Sequence, residues 1–373
     1  MRLNTPWQLL TVLVAVIFSG KGVRAEANET VIYGGFAFAG NAGDISANYP
    51  FAELVDKGEK DSTSAFEARL SKFLRQNAAS IPGIAISFDV IRRDEPAYVL
   101  ALALTDEKIL RETMGDLHKL VVQLGFELLT LDFREMQVVS SIPICIELID
   151  AQQTDFSEAD ITGRILGMID GPDSQLFSAL TEKIGRTKIR SKSVCTLQVA
   201  KVAVGEKALP FMPPELRSRT ASYGQSVAQQ FGSLLSAQAG VALLPFAKDG
   251  LNSKMSLRFA DASALQFKIP APTFAIDLDV KGFKKVADKK TDAESLWIYG
   301  AFLGYRVYEP DFNQVYLESV AKFGVPKIVP ASQTVVDEFP VASEALKGAI
   351  LTAIEAMKKD PTTKAKVLTK CQL

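Results

Sequence analysis

The chain has 373 residues, with 42 Lys and Arg against 43 Asp and Glu, one histidine and three cysteines. Its apolar share, 47%, is enough to bury a large core and excludes both a disordered chain and a disulfide-stapled miniprotein. The near-neutral balance leaves no electrostatic footprint for nucleic acid, and a single histidine excludes multi-histidine metal centres.

Residues 1–25 read as a secretory leader. Arg2 supplies the positive start, "LLTVLVAVIFSG" the apolar run, and Val23-Arg24-Ala25 the small residues of a cleavage site. The run is too short for a membrane span of about 20 residues. No cysteine precedes Cys145, so the signal for bacterial lipidation is absent. Removing the leader takes away Arg2, Lys21 and Arg24 and no acid, which shifts the formal charge from −1 to −4. The expected protein is periplasmic or secreted, with no membrane span and no nucleic-acid partner.

The next stretch, "VIYGGFAFAGNAGD" (Val31–Asp44), spaces Gly35 and Gly40 like a phosphate loop. Such a loop needs Lys and then Ser or Thr after the second glycine, and here Asn41 and Ala42 follow. The dinucleotide spacing G-x-G-x-x-G fails as well. The stretch reads instead as a strand, apolar on both faces, whose glycines admit close packing or a bulge.

Further along, the chain repeats itself. "LGFELLTLDFREMQVVSS" (124–141) aligns without a gap to "LGYRVYEPDFNQVYLESV" (303–320), matching Leu124/Leu303, Gly125/Gly304, Asp132/Asp311, Phe133/Phe312 and Ser140/Ser319. The flanks agree. An opening strand begins at Val31 and again at Val194. Amphipathic helices follow at 64–78 and 223–239, striped by Phe66, Leu70, Phe73 and Leu74 and by Val227, Phe231, Leu234 and Leu235. Each leads into a strand (84–91, 240–247), then an alternating strand (97–108, 273–284), then a long hairpin. The sequence therefore predicts an α/β (α+β) protein of two tandem β-α-β-β-β-α copies, each a mixed sheet packed with helices. The expected divisions are a leader at 1–25, copy one at 26–182, a basic linker at 183–193 and copy two at 194–373.

The segments Ala275–Gly282 and Asp311–Val315, with Tyr98–Thr105 and Asp132–Met136 more loosely, resemble the periplasmic α/β domain of the TolB amino-terminal and curli-secretion-protein group. The resemblance implies a scaffold that binds other proteins and carries no catalytic site. The group's outer-membrane members are lipoproteins, whereas this leader holds no lipidation cysteine.

A search for chemistry finds no constellation. His118 sits in "MGDLHKLVV" without a nucleophile motif beside it. Ser319-Val-Ala-Lys322 fits S-x-x-K, yet the K-T-G strand of that chemistry is missing. No carboxylate pair stands out as a glycosidase pair, and no cofactor is expected. Cys145 and Cys195 lie in apolar strands, and Cys371 near the chain end can bridge to Cys195 or to Cys145. Asp132 and Asp311 read as turn residues that bond their own backbone, with a protein-contact carboxylate at the hairpin tip as the alternative. Phe133 and Phe312 place an aromatic residue at each hairpin tip, either folded back as a core anchor or presented to a partner. The function expected is that of an exported, non-enzymatic cell-envelope protein that binds another envelope protein through strand edges and hairpin tips. The alternatives are a periplasmic ligand-binding protein using the cleft between copies, or a carboxylate-dependent glycan hydrolase.

Overall fold

The computed structural model describes residues 29–57, 64–81, 84–89, 98–114, 116–171, 174–186, 195–247, 253–333 and 336–372. The leader and most of the basic linker lie outside them. Copy one runs β1 (Glu29–Ala39), α1 (Ile45–Asn48), α2 (Pro50–Lys57), α3 (Ala65–Asn77), β2 (Ile84–Ser87), β3 (Tyr98–Met114), β4 (Leu117–Asp132), β5 (Gln137–Gln152), α4 (Glu158–Ile169) and α5 (Gln175–Arg186). Copy two runs β6 (Leu197–Lys207), α6 (Pro214–Arg217), α7 (Thr220–Ala239), β7 (Leu243–Leu244), β8 (Lys254–Phe259), β9 (Ala264–Lys268), β10 (Phe274–Lys290), β11 (Glu294–Glu309), β12 (Gln314–Pro330) and α8 (Glu338–Lys359). The basic stretch expected as a linker begins inside α5, where Lys183 is buried.

Backbone pairing shows the repeat more sharply than side-chain identity does. In both copies the opening strand lies parallel to the first strand of the long hairpin, β1 to β3 and β6 to β10, and both pairs bulge at the same place: Gly34 is skipped opposite Leu100 and Ala101, and Ala200 opposite Ile276 and Asp277. The hairpins repeat two more bulges, at Thr105 and Lys281 and at Val139 and Tyr316. Gly34 and Gly35 are required by the first bulge. A Cβ on Gly34 would stand 2.3 Å from Val99 Cγ1, and Gly35 has φ +94°. Phe36 N–H, left over by the bulge, donates to Glu67 Oε2 at 2.7 Å.

These registers correct the gapless alignment by two residues. Leu131 corresponds to Tyr308 and Gln137 to Gln314, so the counterpart of Asp132 is Glu309, not Asp311. A slip of two keeps every side chain on its own face of the sheet, which is why the hydrophobic pattern agrees in either register.

The two copies do not stop at separate sheets. A single sheet runs β12-β11-β10-β6-β7-β5-β4-β3-β1-β8-β9, with β2 on β1. The short β7 is the zip: Leu243 pairs with Ser141 of β5 and with Leu197 of β6. The β8–β9 hairpin of copy two crosses over to copy one, where β8 pairs with β1 and Gln137 of β5 meets Lys268 of β9. Strands β3, β4, β5, β9, β8 and β1 thus form a ring filled by Ala37, Ala101, Ala103, Leu129, Leu131 and Phe267. The ring leaves copy one almost without an open edge.

Helices cover the outer faces. α3, α4 and α5 pack on β3–β5 through Phe66, Leu70, Phe73, Ile165 and Leu180. Ser64 caps α3 by accepting from Glu67 N, and Ser157 with Asp160 forms a capping box on α4. In copy two, α7 and α8 pack on β6 and β10–β12 through Val227, Phe231, Leu235, Leu346, Ile350 and Ile354.

Candidate interaction face on the second copy

The same sheet face meets opposite fates in the two copies. In copy one, the β3–β5 face carrying Asp106, Gly125, Glu127 and Pro143 is covered by α7. Gln225 Nε2 donates to Thr105 O at 2.9 Å, Ser226 Oγ to Asp106 Oδ2 at 2.8 Å, and Gln229 Nε2 to Phe126 O at 3.0 Å. The approach is close: a Cβ on Gly125 would fall 2.8 Å from Gln229 Cγ. This face is polar and desolvated. Burial pushes Asp106 up to about 6 and Glu127 up to about 7, although hydrogen bonds from Ser226 and Ser141 pull the other way.

By strand register, the corresponding face of copy two carries Gly282, Lys284 and Val286 on β10, Ile298, Gly300, Phe302 and Gly304 on β11, and Val320, Lys322 and Pro326 on β12. Among the described residues no element lies over it. Ile328 is 59% exposed and Ile298 37%, with Val286 and Val320 between those values. Gly300 and Gly324 flatten the floor, and Gly304 on the same face is buried under the Lys281 side chain. Lys322 reaches over the Phe302 ring, 5.9 Å from its centroid. The result is an apolar, glycine-floored strip with Lys284 and Lys322 exposed beside it.

The edge next to this face is guarded. β12 pairs only with β11 and carries Pro326, Pro330 and the exposed Lys322, while Lys327 is tied to Glu112 of β3. Proline and lysine on an edge resist the addition of a further strand.

The residues singled out from sequence fall apart in space. Asp132 Oδ1 accepts from Arg134 N and Glu135 N, both at 3.0 Å, as a turn aspartate should. Asp311 lies exposed within its turn and is not the counterpart of Asp132. Phe133 folds back against Phe267, ring centroids 5.3 Å apart, whereas Phe312 is 76% exposed. Cys195 and Cys371 are joined, with Cα atoms 5.1 Å apart, and Cys145 is free. Burial pushes the Cys145 thiol up to about 12. His118 opens β4 with Nδ1 3.9 Å from Asp155 Oδ1. Ser319 and Lys322 lie on β12 at an odd spacing and so project from opposite faces, where the lysine cannot serve the serine. No helix among the described residues is long and apolar enough to cross a membrane. The bare face escapes the sequence reading because both faces of β11 are apolar, and only pairing tells which one a helix covers.

No family model matches the chain, and no curated protein does. Solved structures similar to part of it include a neuraminyllactose-binding hemagglutinin homologue from Helicobacter pylori, with TM-score 0.27 and 9% identity, covering 48% of this chain and 90% of that one. A minor lipoprotein from Acinetobacter baumannii has TM-score 0.24 and 16% identity, covering 42% and 93%. A DUF330 protein from Xanthomonas campestris has TM-score 0.21 and 9% identity, covering 49% and 91%.

Proposed function

We propose that the chain is an exported, non-catalytic cell-envelope protein whose second copy docks a helix of another envelope protein on its bare sheet face. The observation that supports this reading is the internal repeat: in copy one the equivalent face holds α7, and in copy two it is exposed. A helix is the occupant favoured, because a helix already sits on the first of these faces and the guarded β12 edge disfavours a strand. Lys284 and Lys322 suit a helix flanked by acidic residues. The leader supports export, and the serine–carboxylate pairs Ser226–Asp106 and Ser141–Glu127 have no histidine beside them, since His118 at the start of β4 turns toward Asp155.

A photo-crosslinking amino acid at Ile298 tests this in cells. The partner is expected to crosslink from Ile298 and not from Lys72 on the outer side of α3. The double change Ile298→Glu and Ile328→Glu is expected to abolish the crosslink while the melting temperature holds. An unchanged crosslink yield in that variant would sink the reading. So would turnover that a single carboxylate substitution removes.

A further inference from the structure

An apolar strip open to water gains free energy when it is covered, and copy one presents a surface that suits it. Among the described residues, the large apolar side chains that stay exposed lie on strands or at the β11–β12 turn, with one exception on a helix. That exception is Leu54 of α2, 51% exposed. Leu54 lines a groove of about 490 Å³ between α2 and α4, where Val55 and Leu166 are half-buried. The α4 wall carries Ala159 and Gly163, both exposed, and a Cβ on Gly163 would meet nothing within 4 Å.

Charge and size both match this groove to the bare face of copy two. Glu158 is exposed at the start of α4, and the exposed Asp170 follows its last residue. The cations near them are engaged: Arg69 lies 3.5 Å from Asp170, and Lys57 pairs with Glu53 at 2.7 Å. The bare strip offers the opposite sign in Lys284 and Lys322. The outer side of α3, with Lys72 and Arg75 exposed, would be repelled by those lysines. Size narrows the choice further. Strand register puts Phe302 where copy one has Gly125, the residue whose missing side chain admits Gln229 of α7. A helix over Phe302 therefore needs a small residue at the contact, and α4 supplies Gly163 and Ala159.

We propose that, while no partner helix is docked, the bare face of one molecule is covered by α4 and Leu54 of a second copy. This rests on the reading that the face docks a helix, and it names what holds the face until that helix arrives. The contact joins two different surfaces. Face against face would oppose lysines, and groove against groove would oppose Glu158 to its like. Each molecule carries one face and one groove, so a bound pair keeps one of each free and can extend head to tail. Partner helix and second copy compete for one place.

Sedimentation velocity on the mature protein over a concentration series tests it. The protein is expected to associate as concentration rises, and less so in added salt. Ile298→Glu spoils the face and Leu54→Arg the groove. Each is expected to raise the dissociation constant about tenfold or more while the melting temperature holds. Mixed one to one, the two variants are expected to form a pair that grows no further, because each keeps the surface the other has lost. A protein monomeric at every concentration, an unchanged constant in Leu54→Arg, or a mixture that stays monomeric would each overturn the proposal. A partner crosslink from Ile298 in cells, with the purified protein monomeric, would leave the docking reading standing and end this one.

Discussion

Met136 and Asn313 hold the same place in two hairpins: each ends its turn, each has a positive φ, 50° and 47°, and each precedes the glutamine that starts the returning strand. This relationship fixes the register of the repeat, and it makes the two Asp-Phe pairs a coincidence of composition displaced by two positions. The displacement is testable. Asp132→Ala removes the acceptor for Arg134 N and Glu135 N and is expected to cost about 1 kcal/mol. Asp311→Ala is expected to stay within about 0.5 kcal/mol. Urea denaturation of both variants checks this; equal losses would restore the gapless equivalence.

The aromatic residues beside them should separate in the same way. Phe133 packs on Phe267 within the ring of strands, so Phe133→Ala is expected to destabilise by about 2–3 kcal/mol. Phe312 is exposed, and Phe312→Ala should leave stability within about 0.5 kcal/mol. A partner crosslink lost in Phe312→Ala with stability intact would mark Phe312 as part of the docking surface.

Much of this fold is legible in the sequence, and the failures have physical causes. The helical stripes at Phe66–Leu74 and Val227–Leu235 point into the cores, because amphipathic spacing survives any tertiary context that buries one face. The β8–β9 hairpin escapes notice, although "KMSLRF" and "ALQFK" alternate around a polar Asp-Ala-Ser turn. Its role in closing copy one's edge depends on pairing between residues more than 200 positions apart, Ala37 with Phe259, and no local pattern encodes that.

The interface between copies should titrate. Burial raises Asp106 to about 6, and Glu107 and Glu127 to about 7, so the folded protein holds protons that the unfolded chain releases. Stability from these groups is complete below their ordinary range near pH 4 and is lost as pH rises through about 6 to 7. Replacing Glu127 by Gln removes one such proton and should flatten that decline by about 1.4 kcal/mol per pH unit around pH 5.5–6. Denaturation at a series of pH values checks it, and an unchanged slope would place the proton elsewhere.

The Cys195–Cys371 bond ties the tail beyond α8 back to the start of β6, enclosing nearly all of copy two. A cross-link over so long a loop restricts the unfolded chain strongly, and its loss is expected to cost about 2–4 kcal/mol. Unreduced, denatured protein should titrate one thiol, that of Cys145; three thiols would show that the bond does not form.

The contact of α7 with copy one turns on Gly125. Its missing side chain lets α7 lie against β4, and an alanine Cβ there would stand 2.8 Å from Gln229 Cγ and 2.9 Å from Asp106 Cβ. Neither neighbour has room to withdraw, because Gln229 donates to Phe126 O and Asp106 accepts from Ser226. Gly125→Ala is therefore expected to lift α7, break these bonds and cost about 1–3 kcal/mol. On the bare face, a Cβ on Gly300 would meet nothing nearer than 3.8 Å, so Gly300→Ala should be nearly neutral in the isolated protein. If a partner helix docks there as α7 docks on copy one, Gly300→Ala should weaken the partner crosslink while leaving the melting temperature alone. A crosslink unaffected by Gly300→Ala would place the partner off the glycine floor.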